Sequence, residues 1–192
     1  MTRTESFEQV EVSSTRELRR WLADHHTQPD SVWLVTFKKH TGARYVSRDE
    51  VLDELLCFGW IDGIRRKLDA DRTMQLISPR KAQHWAKSYK DRAARLIEEG
   101  RMEAPGLESI RRSRESGLWD FLDDVDALIV PPDLAEALDA RPDARRHFDA
   151  FPPANRRFVL RWIKLARKSE TRRRRIARIA ELASRNERLP GS

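Results

Sequence analysis

From Ser88 to the C-terminus the apolar residues of this chain recur at helical spacing, and every run that alternates with period two lies before that point. This split limits the fold more than any other feature. Strands can form only in the N-terminal part, so any sheet is small, and the remainder must be built from helices. The fold class expected is α+β: a small, mostly antiparallel sheet packed with helices, followed by an all-helical C-terminal unit. A chain of 192 residues suffices for one good-sized core with a modest appended module. The expected division is an α+β domain over 1–122 and a helical unit over 131–187, either separate or packed as one compact domain.

Taken in order, Phe7, Val10 and Val12 suit an edge strand. Ser14-Thr15-Arg16-Glu17 reads as a capping box, opening a helix along Leu18, Trp21, Leu22 and His25. Ser31 to Lys38, rich in β-branched and aromatic residues, is the best strand. A second capping box, Ser47-Arg48-Asp49-Glu50, starts a helix with Val51, Leu52, Leu55, Leu56 and Phe58 inward and Gly59 as its stop. Trp60 to Leu68 and Arg72 to Ile77 then form a hairpin about Asp69-Ala70-Asp71. Alternation puts Trp60, Asp62, Ile64 and Arg66 on one face and Ile61, Arg65 and Lys67 on the other, unless Gly63 bulges and shifts the register.

Ser88 is expected to cap a helix with Tyr89, Ala93, Leu96 and Ile97 inward, and Pro105 to start the next. Asp123 to Pro132 reads as a linker. Beyond it come short helices through Leu134 and Leu138 and through Ala144 and Phe148. A stronger one opens at Pro153 with Phe158, Val159, Trp162 and Ile163 at core spacing. Ser169 caps the last, striped by Ile176, Ile179, Leu182 and Ala183.

The stretch Cys57 to Trp85 crowds aromatic, acidic, basic and imidazole side chains without helical periodicity, so it is where a site is expected. The ligand-binding candidates are Trp60, Arg65, Arg72, Gln75, Arg80 and Trp85. Arginine recognises carboxylate or phosphate through paired hydrogen bonds, and tryptophan supplies a flat apolar wall. Asp62 and His84 are the catalytic candidates, the histidine moving a proton near neutral pH and the aspartate orienting it or acting as base. The competing expectation is structural: both indoles in the core, Asp62 paired with an arginine, and His84 capping the next segment. No GxSxG, P-loop, HExxH or paired CxxC pattern occurs.

A net charge of +7, with 36% charged residues, offers anions an attractive surface. Its densest part is Arg172, Arg173, Arg174 and Arg175. Consecutive helical residues point around the circumference, so a solvated charged face is favoured there over a nucleic-acid site. The single cysteine, Cys57, excludes an internal disulfide and sits among apolar neighbours as a small buried hydrophobe. Adjacent His25 and His26 do not have ligand spacing, and neither a metal nor another cofactor is expected. No window approaches a membrane span, and MTRTESFEQV lacks the apolar core of a signal peptide. A cytoplasmic location is expected.

GWIDG, with Arg72, Gln75, Ser78-Pro79-Arg80, Trp85 and the later LIEEGRM, resembles the YdeI/OmpD-associated family, also called the bacteriocin-protection family. The run NRRFVLRWIKLARKSETRRRRIARIAELA is similar to that family's C-terminal region. The resemblance extends from about Phe7 to Leu182. It implies a connection with tolerance of bacteriocins and cationic peptides, and with an outer-membrane porin. It supplies no catalytic residues. Three functions stand open: binding of a small anionic or aromatic molecule in stress tolerance, acid/base catalysis on an anionic metabolite by the 60–85 stretch, or binding of nucleic acid or another acidic partner by the Arg-rich helix.

Overall fold

A computed structural model describes residues 7–191. Residues 1–6, on which much of the expectation about an export signal rests, lie outside the described residues. The chain divides into two compact units, Met1–Asp120 and Phe121–Ser192.

In the first unit β1 (Gln9–Val12), α1 (Thr15–His25) and β2 (Val32–Phe37) make a strand–helix–strand unit, in which β1 pairs parallel with β2. The hairpin strands β3 (Trp60–Lys67) and β4 (Arg72–Pro79) add antiparallel pairs, giving the order β1-β2-β4-β3. The molecule is α+β, with one parallel pair in an otherwise antiparallel sheet. Every residue of β2 is buried, as an inner strand requires.

The helix α2 (Arg48–Cys57) opens with the expected capping box: the Glu50 amide donates to Ser47, and the Ser47 amide donates to the Glu50 carboxylate. At α1 the pattern is only half made. The Glu17 amide donates to Ser14 Oγ, but the Glu17 carboxylate accepts from Ser13 instead. The single inward face expected for α2 is also too narrow. Residues 51 to 57 are all buried, Asp53 and Glu54 included, because α1, β3, α3 (Lys87–Glu98) and α4 (Ala104–Glu115) all pack on this helix. The two carboxylates are tolerated inside because arginines from α1, α3 and the following loop reach them. Arg92 Nη1 lies 2.5 Å and Arg95 Nη2 2.7 Å from Asp53, and Arg101 Nη2 lies 2.8 Å and Arg19 Nη1 2.9 Å from Glu54. Cys57 is fully buried beside them.

The core lies under the sheet and around α2, joining Leu18, Leu22, Leu34, Leu55, Trp60, Ile77, Trp85 and Leu96. Two helical expectations shift. The N-cap of α3 is Ala86 rather than Ser88, and Ile97 points outward at 47% exposure. Gly63 marks a bulge: the register shifts between Asp62 and Arg65. Arg65 then pairs with Gln75, on the face of Ile77 and Asp62, and Arg66 crosses to stack on Trp33. Simple alternation put Arg65 and Arg66 on the opposite faces, and the extra residue exchanges them.

The second unit holds α5 (Asp123–Asp126), α6 (Pro132–Asp139), α7 (Ala144–Ala150), α8 (Pro153–Lys164) and α9 (Ser169–Ser184). Part of the segment expected as linker is therefore helical, and Val125 is buried. Leu134, Leu138, Phe148, Val159, Ile163, Ile179 and Ala183 are buried in this unit, while Phe158 is 42% exposed, against its expected core position. Ser169 is the first residue of α9, and its N-cap is Lys168.

Candidate functional site

The hairpin's open end is closed by the Arg80 amide, which donates to the Gly59 carbonyl at 2.9 Å. Gly59 has φ +70°, and a Cβ there would meet the Pro105 carbonyl oxygen at 2.8 Å, so glycine lets α4 approach the strand entrance. Trp60 follows, fully buried, with its ring edge-on to Trp21 at 5.5 Å.

Two residues on, the Asp62 side chain is only 9% exposed. Its Oδ1 accepts from the Tyr89 hydroxyl, and its Oδ2 accepts from Gln75 Nε2 at 3.2 Å, with Arg48 Nη2 at 3.8 Å. Burial, and then the hydrogen bond to Asp62, push the Tyr89 phenol up to about 12, so it remains a proton donor at neutral pH.

Arg80, 6% exposed, completes the cluster. Its guanidinium carbon lies 4.1 Å from the Trp85 ring centroid and 5.5 Å from that of Tyr89. Its Nη1 donates to the Gln83 carbonyl at 3.2 Å, while Nε and Nη2 are buried without a partner among the described residues. Burial lowers its pKa to about 10, opposed by the nearby Tyr89 and Asp62. Trp85 is 1% exposed and packs on Trp119 at 4.8 Å. Arg80 also lines a cleft of about 620 Å³, together with Gly59, Lys81, His26, Glu108 and Arg112.

Trp60, Asp62, Arg80 and Trp85 thus lie toward the open end of the hairpin, Gln75 reaches Asp62 from the middle of β4, and His84 is half-buried in the segment leading to α3. The other two candidates lie elsewhere. Arg72, at the turn end, holds Glu11 at 2.5 Å and Asp69 at 2.7 Å. Arg65 is exposed and donates to Thr73 Oγ1 at 2.9 Å.

In the second unit the arginine row is divided among partners. Arg172 grips Asp133 through Nε and Nη2 at 2.6 and 2.8 Å. Arg175 stacks 4.8 Å over Trp162 and donates to its carbonyl. Arg173 and Arg174 are exposed.

Residues 10–109, just over half of the chain, match the family model described as Domain of unknown function (DUF8412). The chain belongs to the DUF8412 family. Residues 127–186 match the model described as Bacteriocin-protection, YdeI or OmpD-Associated. No curated protein and no solved structure matches the chain. The YdeI/OmpD-associated match therefore covers the helical tail, and the GWIDG stretch falls in the DUF8412 part.

Tyr89 and Arg48 in the DUF8412 part, and Trp119 beyond it, are not among the site residues expected from the sequence. Tyr89 looked like an apolar inward position of α3. A buried tyrosine needs a partner for its hydroxyl, and Asp62, the one acid in the hairpin strand, was the available signal.

Proposed function

We propose that the protein binds a small anion, a carboxylate or phosphate, in the cleft beside Arg80, whose guanidinium is backed by the Trp85 ring. The observation that carries this is the buried guanidinium with Nε and Nη2 unpartnered. Burial of a cation is costly unless its donors are used, and the rings of Trp85 and Tyr89 together with the nearby Asp62 compensate it only in part. An anion in the cleft would offset this buried charge, with Lys81 on the same cleft adding to the attraction, while Arg112 there is paired with Glu108 at 3.4 Å. Binding is favoured over catalysis because both oxygens of Asp62 are already engaged, one by Tyr89 and the other by Gln75, leaving neither presented to a substrate.

The match to a bacteriocin-protection model in the tail supports a part in tolerance of antimicrobial peptides. With a net charge of +7 the protein would repel cationic peptides, so protection through a small anionic ligand fits better than capture of the peptide. A cytoplasmic setting is in keeping with a free, buried Cys57.

The test is thermal denaturation with a panel of carboxylates and phosphates, on the parent, Arg80→Gln and Lys81→Gln/Arg112→Gln. A ligand at about 100 times its Kd stabilises by about 2.7 kcal/mol, a shift of several degrees for a unit of this size. Stabilisation of the parent that is lost in Arg80→Gln and weakened in the double variant is expected. An equal shift in all three would end the proposal.

A further inference from the structure

A second cationic hollow lies wholly within the helical unit. Arg174 and Arg178 stand four residues apart on α9, so their side chains share a face. Arg141, from the loop after α6, and Trp162, from α8, line the same hollow, whose volume is about 540 Å³. Arg175 forms part of the wall, held against the Trp162 ring.

The charges here are handled differently from those nearby. Arg145 has Asp139 at 2.8 Å, Arg172 has Asp133 at 2.6 Å and Lys164 has Asp124 at 2.6 Å. Arg141, Arg174 and Arg178 have no ion-pair partner among the described residues. The one carboxylate at the rim, Glu181, is engaged with Arg185 at 3.4 Å. Like charges at i and i+4 repel, so the unpaired set is kept at a cost that an anion would remove.

We propose that this hollow binds a phosphate monoester of nucleotide size. The guanidiniums of Arg141, Arg174 and Arg178 would meet the phosphate, and Trp162 with Ala177 the organic body. A phosphate dianion presents three terminal oxygens, enough for fork-shaped donors arriving from two elements, where a carboxylate offers two. The volume lies within the range of small-molecule sites, roughly 300–1,000 Å³. A nucleic-acid backbone fits less well, because Arg172 is bound to Asp133 and Arg173 does not line the hollow. The inference is independent of the cleft at Arg80.

The experiment is titration calorimetry on the full chain with adenosine monophosphate, adenosine, inorganic phosphate and a single-stranded oligonucleotide. Adenosine monophosphate should bind, adenosine should not, and inorganic phosphate should bind more weakly. Arg174→Gln and Arg178→Gln should each weaken adenosine monophosphate tenfold or more, while Arg173→Gln changes it less than twofold and Arg80→Gln leaves it unchanged. Equal weakening by Arg173→Gln would reduce the effect to diffuse surface charge and overturn the site. So would binding of the oligonucleotide without the mononucleotide, or binding of no phosphate at all.

Discussion

The Tyr89 hydroxyl on α3 donates to Oδ1 of Asp62 on β3, tying the helix to the strand that enters the hairpin. Both groups are largely buried, and the carboxylate's other oxygen is met by Gln75 from β4. Three elements therefore converge on one side chain. Removing the hydroxyl in Tyr89→Phe leaves a buried carboxylate short of a donor, a loss of about 1.5–3 kcal/mol for a hydrogen bond to a charged group. Urea denaturation should show a lower midpoint with an unchanged slope. A midpoint equal to the parent's would mean that Gln75 and Arg48 suffice to hold Asp62.

The same pair makes a prediction at alkaline pH. The Tyr89 pKa is raised from 10.0 to about 12, so its contribution is complete below 10 and is lost as pH rises toward 12, where the unfolded phenol ionises first. Arg80 acts in the opposite sense. Its pKa is lowered from 12.5 to about 10, so the cost of burying its charge is present below 10 and is relieved above it. Tyr89→Phe removes the falling contribution and leaves the rising one. The deficit of the variant should therefore narrow between about pH 9 and about pH 11.5, measured as the difference in urea midpoints. A constant deficit would show that the phenol titrates alike in both states.

How much of this was visible beforehand depends on the kind of signal. The hairpin, the helix stop at Gly59 and the capping box at Ser47 were legible because each is written within a few adjacent residues. The face assignment of Arg65 and Arg66 was not, because a bulge at Gly63 inverts every later position and alternation alone cannot locate it. Arg72, read as a ligand-binding residue, instead ties β4 to Glu11 on β1, a pairing set by sheet order. The burial of Asp53 and Glu54 is not legible in the sequence either. Their arginine partners come from residues 19, 92, 95 and 101, too far along the chain for local pattern to connect.

That network is expected to set the acid limit. Burial acts to raise the Asp53 pKa, but the hydrogen bonds and charges of Arg95 and Arg92 outweigh it and hold the carboxyl below its usual 3.8. A lowered acid pKa contributes stability above 3.8 that is lost as pH falls through the folded value. Asp53→Asn should destabilise by about 3–5 kcal/mol at neutral pH, since it leaves partly buried guanidiniums without their counter-charge. It should also flatten the decline in melting temperature below about pH 4. A variant that loses stability in acid as steeply as the parent would assign the acid limit to other carboxylates.

Gly106 tests how α4 is seated on α2. A Cβ at this position would come within 2.4 Å of the Cys57 carbonyl oxygen and 2.7 Å of that of Leu56, both backbone atoms at the end of α2. The Glu103 amide donates to the same Cys57 carbonyl at 3.1 Å, so the two helices cannot separate without breaking that bond. Gly106→Ala should therefore cost about 1–3 kcal/mol or more, as overpacking of a closed site does. Gly100→Ala provides the contrast. There the added methyl meets nothing within 4 Å, and only the φ of +66° opposes it, a strain of about 1 kcal/mol. The discriminating measurement is the ratio of the two losses in urea, with the thiol of Cys57 as a second readout. Displacing α4 should speed its reaction with a thiol reagent in Gly106→Ala and leave it slow in Gly100→Ala. Equal losses and equally slow thiols would mean that α4 shifts as a body to admit the methyl, and that the contact between the helix ends is softer than its distances imply.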